Sequence, residues 1–225
     1  MPISRRFVHG PPRPTGHGSN AYDGRGYPVP MPPALAAATT HRPIRRALFV
    51  DRDGTLNPDL HYLKEADRLE LFRGVGPTLR LAHDHGYLLV CVTNQSGIGR
   101  GLYSAEDVAA IHARLNERLR PHRAQIDAFY YCPHTPEEDC RCRKPKTGLF
   151  EDAQRDWNID FGGSAIIGDR GIDVAAGRSL GLLTALVVAP GHRAEVAAEL
   201  EELGVQPEIR ADQFASAGAR ILARG

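Results

Sequence analysis

The apolar residues of this chain fall into short unbroken runs separated by amphipathic stretches. Ala47-Leu48-Phe49-Val50 has no polar break, the pattern of a strand covered on both faces, as in a parallel sheet. Comparable runs recur at 87–92, 127–131, 164–167 and 184–188. Helical spacing fills the gaps between them. Residues 74–85 place Val75, Leu79 and Leu81 as apolar positions before Gly86, and Ser104-Ala105-Glu106-Asp107 caps a stripe of Val108, Ile111, Leu115 and Leu119. Helices are also predicted over 148–157, 193–203 and a last segment ending near Leu222, with a short extended piece near Ile209. His112 reads as packed or solvent-facing, not as a ligand. Strand–helix alternation over 47–188 predicts an α/β fold, a Rossmann-like doubly wound parallel sheet whose function sits at the strand C-termini.

The first 43 residues break this pattern. They are rich in Pro, Gly, Arg and His and lack apolar periodicity. Such a segment buries too little to offset its ordering entropy and is expected to be a disordered arm ahead of a domain at 44–225. Ser4-Arg5-Arg6-Phe7 faintly resembles a twin-arginine signal, but the apolar stretch that should follow is missing. Met31 is an alternative start. Residues 1–46 hold seven arginines against Asp23, a charge of +6, and the remaining 21 basic and 26 acidic residues leave the body at −5. That body gives no footprint for nucleic acid. No run of about 18 apolar residues exists, so the expectation is a cytoplasmic, monomeric protein without a membrane partner.

The chemistry gathers after the strands. Asp51 and Asp53, spaced i, i+2 at the end of the first run and followed by Gly54, would share a face if the strand continued. Two carboxylates that close tend to differ in protonation unless a cation lies between them. Thr93, in Thr93-Asn94-Gln95-Ser96 after the second run, offers a hydroxyl and backbone N–H groups to an anion. Cys132-Pro133-His134, five residues, then Cys140-Arg141-Cys142 supply three thiols and an imidazole. That set matches a closed tetrahedral zinc site in a loop over 132–142; a disulfide between two of the cysteines is the alternative. Cys91 reads as a small buried hydrophobe. Arg143-Lys144-Pro145 follows the knot and can aim cations at a phosphoryl group. Asp169, in Gly168-Asp169-Arg170-Gly171-Ile172-Asp173, suits Mg²⁺ as a hard oxygen ligand, and Asp173 is either a helix cap or part of the site.

Asp51-Arg52-Asp53-Gly54-Thr55-Leu56 resembles the first motif of the haloacid dehalogenase (HAD) superfamily, and Thr93, Lys144 and Asp169 stand where its remaining motifs require them. The resemblance covers residues 46–190 and implies an HAD-like fold. It also implies roles: Asp51 as nucleophile forming an aspartyl-phosphate, Asp53 as acid and base, and Thr93 and Lys144 neutralising the transferred group. Mg²⁺ would lie on Asp51, Asp169 and the backbone carbonyl of Asp53. Residues 57–73 are too few for a cap domain, so the fold would be capless. Asn94 to Gly101, with Tyr131-Cys132-Pro133-His134 and Cys142-Arg143-Lys144-Pro145, closely resembles the D-glycero-D-manno-heptose-1,7-bisphosphate 7-phosphatases. These zinc-knot enzymes remove the 7-phosphate in nucleotide-heptose biosynthesis. The implied substrate contacts are Asp59, His61, Tyr62, Asn94, Gln95, Ser96, Arg143 and Arg170, although that family usually shows Gly-Tyr where this chain has His61-Tyr62. A small phosphorylated sugar is the expected partner. Histidinol-phosphate phosphatase, nucleic-acid end phosphatase and a non-enzymatic phosphosugar-binding scaffold are the competing readings.

Overall fold

The computed structural model describes residues 43–224. The proposed arm, apart from Pro43, and the alternative start at Met31 lie outside the described residues.

Six parallel strands, β1 (Ala47–Val50), β2 (Leu88–Asn94), β3 (Ala128–Cys132), β4 (Ala165–Gly168), β5 (Leu183–Val187) and β6 (Ile209–Ala211), lie in the order β3-β2-β1-β4-β5-β6. The connecting helices are α1 (Val75–Asp84), α2 (Ala105–Leu119), α3 (Gly148–Trp157), α4 (Gly171–Ser179), α5 (Arg193–Glu202) and α6 (Phe214–Leu222). The chain builds outward from β1 to β3 and then returns to the other side of β1. The β1–β4 boundary is therefore the switch point, where the loops leave in opposite directions and open a crevice.

The unbroken apolar runs have a direct cause, because alternate residues of one strand serve different cores. Leu48 and Val50 pack with Leu79 of α1, Ile111 and Leu115 of α2, and Phe214 and Ile221 of α6. Ala47 and Phe49 face the other way, onto Leu149, Phe150 and Ala153 of α3, with the Phe49 and Phe150 rings 5.1 Å apart. Val174, Leu186, Val196 and Leu200 form a smaller cluster under α4 and α5. At the start of α2, Ser104 Oγ accepts from the Asp107 N–H at 3.1 Å while Asp107 Oδ2 accepts from the Ser104 N–H at 2.8 Å. This reciprocal cap typically stabilises a helix by about 1 kcal/mol.

Some expectations shift. Leu81 is 46% exposed, and Thr78 and Ala82 join Val75 and Leu79 on the buried side of α1. Six residues beyond Val75, Leu81 has rotated well off that stripe. Strand β2 runs past its apolar residues because Thr93 and Asn94 still pair with Tyr131 and Cys132 of β3. The extended piece near Ile209 is β6, paired with β5. Residues 57–73 contain only a single 3₁₀ turn over Ala66–Arg68, so the capless expectation stands. His112 is buried and stacked on Phe129 with ring centroids 4.2 Å apart.

Candidate active site

The Asp51 N–H donates to Ile167 O of β4 at 3.0 Å, which seats the first aspartate at the switch point. The chain then bends at Gly54, whose φ is +80°. A Cβ there would lie 2.1 Å from Asp169 Oδ2, so glycine is required both by conformation and by the close approach of the carboxylate. Thr55 Oγ1 donates to Asp169 Oδ1 at 2.9 Å. On β4, a Cβ at Gly168 would sit 2.3 Å from Asp173 Cγ, and the missing side chain lets Asp173 tuck into the crevice. Carboxylate oxygens of Asp51, Asp169 and Asp173 consequently lie within 4.8 Å of one another. The two readings of Asp173 coexist. Its Oδ2 accepts from the Arg170 N–H at 3.1 Å, capping α4, and its Oδ1 faces Lys144 at 2.6 Å.

Lys144 reaches this site from beyond β3. Asn94 grips its backbone, accepting from the Lys144 N–H at 3.1 Å and donating to Lys144 O at 3.2 Å. The buried ammonium meets Val92 O at 2.8 Å, Asp173 Oδ1 at 2.6 Å and Asp51 Oδ1 at 3.0 Å. Burial disfavours its charge, but Asp173 and Asp51 raise its pKa above the ordinary lysine range. One ammonium does not balance three carboxylates. Burial, with Asp173 and Asp53 nearby, pushes Asp51 up to about 6 despite Lys144. Burial and the charges of Asp51 and Asp173 raise Asp169 well above its ordinary value. Asp51 Oδ1 is buried, with the Lys144 ammonium 3.0 Å away as its ion-pair partner. A hard divalent cation on Asp51 and Asp169 would answer the excess negative charge.

Asp53 departs from the shared-face expectation. The bend after Val50 turns its carboxylate away from the trio and onto four donors: Arg52 Nε and Nη2 at 3.1 and 2.6 Å, Asn57 Nδ2 at 3.0 Å and Gln95 Nε2 at 3.0 Å. Burial opposes ionisation, but the Arg52 charge and these bonds hold Asp53 below its ordinary pKa. Free of substrate it is a carboxylate, and a proton must arrive with the substrate before it can act as an acid. Arg52 is fully buried. Thr93 is buried, and its Oγ1 accepts from Gln95 Nε2 at 2.9 Å. Sequence reasoning missed Arg52, Thr55, Asn57 and Tyr103; Arg52 carried one visible signal, a cation held between two aspartates.

The expected substrate contacts divide into two groups. Asn94 and Gln95 spend their side chains on the protein, the first on Lys144 and the second on Asp53 and Thr93. Arg170 is exposed and paired with Glu199 at 3.1 Å and Glu195 at 3.4 Å. Ser96 and Arg143 are half-buried, the latter donating to His134 O at 3.3 Å. Asp59 Oδ1 accepts from the His61 N–H at 2.9 Å. His61 and Tyr62 are exposed with φ of 47° and 67°, a left-handed pair that explains why glycine suits position 61. The Tyr62 ring lies 6.4 Å from Tyr103.

Beside the site, Cys132, His134, Cys140 and Cys142 converge. Sulfur–sulfur separations are 3.3 and 3.5 Å, and His134 Nδ1 lies 3.2 and 3.6 Å from Cys142 and Cys132. A disulfide needs about 2.05 Å, and the cysteines are free. A tetrahedral zinc with Zn–S near 2.3 Å sets its ligands about 3.8 Å apart, so the set could hold zinc after a small expansion.

Acids, a lysine and a hydroxyl gathered at the switch point of a doubly wound sheet define a phosphoric monoester hydrolase of the HAD type, and the HAD-hydrolase-like family model matches residues 141–217. The D-glycero-beta-D-manno-heptose-1,7-bisphosphate 7-phosphatase of Haemophilus ducreyi is 41% identical over 154 residues, covering 65% of this chain and 85% of its own length. That of Rhodopseudomonas palustris is 35% identical over 164 residues, covering 70% and 87%. Among solved structures, the D,D-heptose 1,7-bisphosphate phosphatase of B. bronchiseptica, complexed with magnesium and phosphate, matches with a TM-score of 0.70 at 28% identity, over 80% of this chain and 99% of that one. The chain belongs to the D-glycero-D-manno-heptose-1,7-bisphosphate 7-phosphatase family.

Proposed function

We propose that this protein removes the 7-phosphate from D-glycero-D-manno-heptose 1,7-bisphosphate in nucleotide-heptose biosynthesis. The observation that carries this is the convergence of Asp51, Asp169, Asp173 and Lys144, from three loops of the sheet, on one another. An Asp51 oxygen attacks phosphorus, and the bond from phosphorus to the C7 oxygen breaks. Asp53 gives its proton to that oxygen and takes one back from the water that hydrolyses the aspartyl-phosphate. Lys144, and Thr93 through its hydroxyl, hold the equatorial oxygens. Asp51, Asp169 and the Asp53 carbonyl would hold magnesium, which would supply positive charge to offset that of the transferring group. Asp59, His61, Tyr62, Ser96 and Arg143 border the space left for the sugar.

Zinc on the four-residue knot is structural, because all four positions are filled by protein and none is open to substrate. Among the described residues no helix is long and apolar enough to cross a membrane, and free thiols suit the reducing cytoplasm. The test is phosphate release from heptose bisphosphate, histidinol phosphate and a 3′-phosphorylated oligonucleotide. The heptose ester should lead in kcat/KM by at least about tenfold; a tenfold lead by histidinol phosphate would refute the substrate assignment.

A further inference from the structure

Gln95 is 1% exposed and makes four side-chain hydrogen bonds, the full capacity of a primary amide. Its Oε1 accepts from Arg52 Nη2 at 3.0 Å and Tyr103 Oη at 2.8 Å, while Nε2 donates to Asp53 Oδ2 at 3.0 Å and Thr93 Oγ1 at 2.9 Å. The orientation of the amide follows from its partners. A guanidinium only donates and a carboxylate only accepts, so turning the amide over would break both bonds. Two consequences follow. Tyr103 must donate its phenolic hydrogen. Thr93 must accept from Gln95, which leaves its single hydroxyl hydrogen free to point elsewhere, toward the phosphoryl oxygens.

The backbone of Gln95 is equally committed: its N–H donates to Cys132 O at 2.7 Å and its carbonyl accepts from Ile98 N at 3.2 Å. Nothing remains for the sugar. Tyr103 is held in turn, since a Cβ on Gly97 would strike its ring at 2.2 Å, and it lies beside Tyr62 of the 57–65 loop.

Resting on the phosphatase reading above, we propose that Gln95 is a positioning residue that aims the Thr93 hydroxyl at the phosphate and holds the Asp53 carboxylate for its proton transfer, with Arg52 and Tyr103 fixing its amide. The prediction concerns leaving groups. A sugar alkoxide needs the Asp53 proton, whereas nitrophenolate departs without it. In full-length, magnesium-saturated protein, Gln95→Leu should slow the first step, formation of the aspartyl-phosphate read by rapid quench, about 10²-fold for the sugar phosphate with KM within about threefold, and only about tenfold for p-nitrophenyl phosphate, through Thr93 alone. Tyr103→Phe removes one oxygen from a half-buried ring and should show the same skew at about three- to tenfold; it decides the matter if Gln95→Leu does not fold. A rise in KM alone would make Gln95 a substrate contact and overturn the proposal. Equal losses on both esters, or no loss, would overturn it too. The ratio can be measured on any alkyl phosphate that the parent hydrolyses, so refusal of heptose bisphosphate would sink the substrate assignment and leave this test intact.

Discussion

Two clusters of metal-ligand residues lie on either side of Lys144 and are built on opposite terms. The carboxylate site stands on the sheet itself: three acids against one ammonium, with the pKa values of Asp51 and Asp169 raised. The cysteine–histidine knot joins the end of β3 at Cys132 to the loop that follows, and its four groups face one another. The first is left unbalanced by the protein and is completed by what binds. The second is complete within the chain. Lys144 follows Cys142 by two residues, and its backbone is gripped by Asn94. One cluster joins the ends of two strands; the other ties the end of one strand to the loop beyond it.

The comparison breaks most visibly at the residue the clusters share. Lys144→Met takes the ammonium from Asp51 and Asp173, so steady-state kinetics should show kcat lower by about 10³-fold. Without magnesium, denaturant melts should show a loss of about 3–5 kcal/mol, as when one partner of a buried pair is removed. Cys142→Ser attacks only the knot. It should release zinc from the purified protein, measurable by atomic emission, and lower kcat by about 10- to 100-fold through misplacement of Lys144. Magnesium affinity should change little. If instead magnesium binding collapsed with zinc, the two sites would not be separate devices.

The pH dependence sharpens the contrast. Asp51 has its pKa raised from 3.8 to about 6, so the folded protein holds that proton more tightly than the unfolded chain. This group therefore costs the metal-free protein nothing below about pH 4, and the cost grows as pH rises to about 6. A divalent ion takes the ionised form, and its affinity follows the same window. Calorimetric titration should find magnesium bound at least about fourfold more tightly at pH 7.5 than at 5.5; equal affinities would mean that Asp51 is ionised throughout. The smallest effect is expected at Arg170. Its guanidinium pairs with Glu199 and Glu195, so Arg170→Ala should change KM for the bisphosphate by less than about threefold.

Much of this was legible before the fold was known, and for a common reason. Asp51, Thr93, Lys144 and Asp169 follow apolar strands or the knot, and a parallel sheet brings such ends together whatever lies between. The Ser104 cap and the 148–157 helix depend only on neighbours within a few residues. What stayed hidden depends on partners far along the chain. Asn94 and Gln95 read as substrate contacts, yet their side chains bond Lys144, 50 residues away, and Arg52, 43 away. Arg170 looked free to meet a phosphate until α5 brought Glu199 against it. Asp53 reads as sharing a face with Asp51, and nothing local says that its carboxylate turns onto Arg52, Asn57 and Gln95.

The central claim is that these groups act on one phosphoryl group through Asp51. Rapid acid quench of the protein during turnover of a phosphate-labelled sugar bisphosphate, followed by peptide mapping, tests it directly. Label should appear on the peptide carrying Asp51 and vanish in Asp51→Asn, whose kcat should fall by at least about 10⁴-fold. Label on another residue, or an Asp51→Asn protein turning over at the parent's rate, would contradict the account.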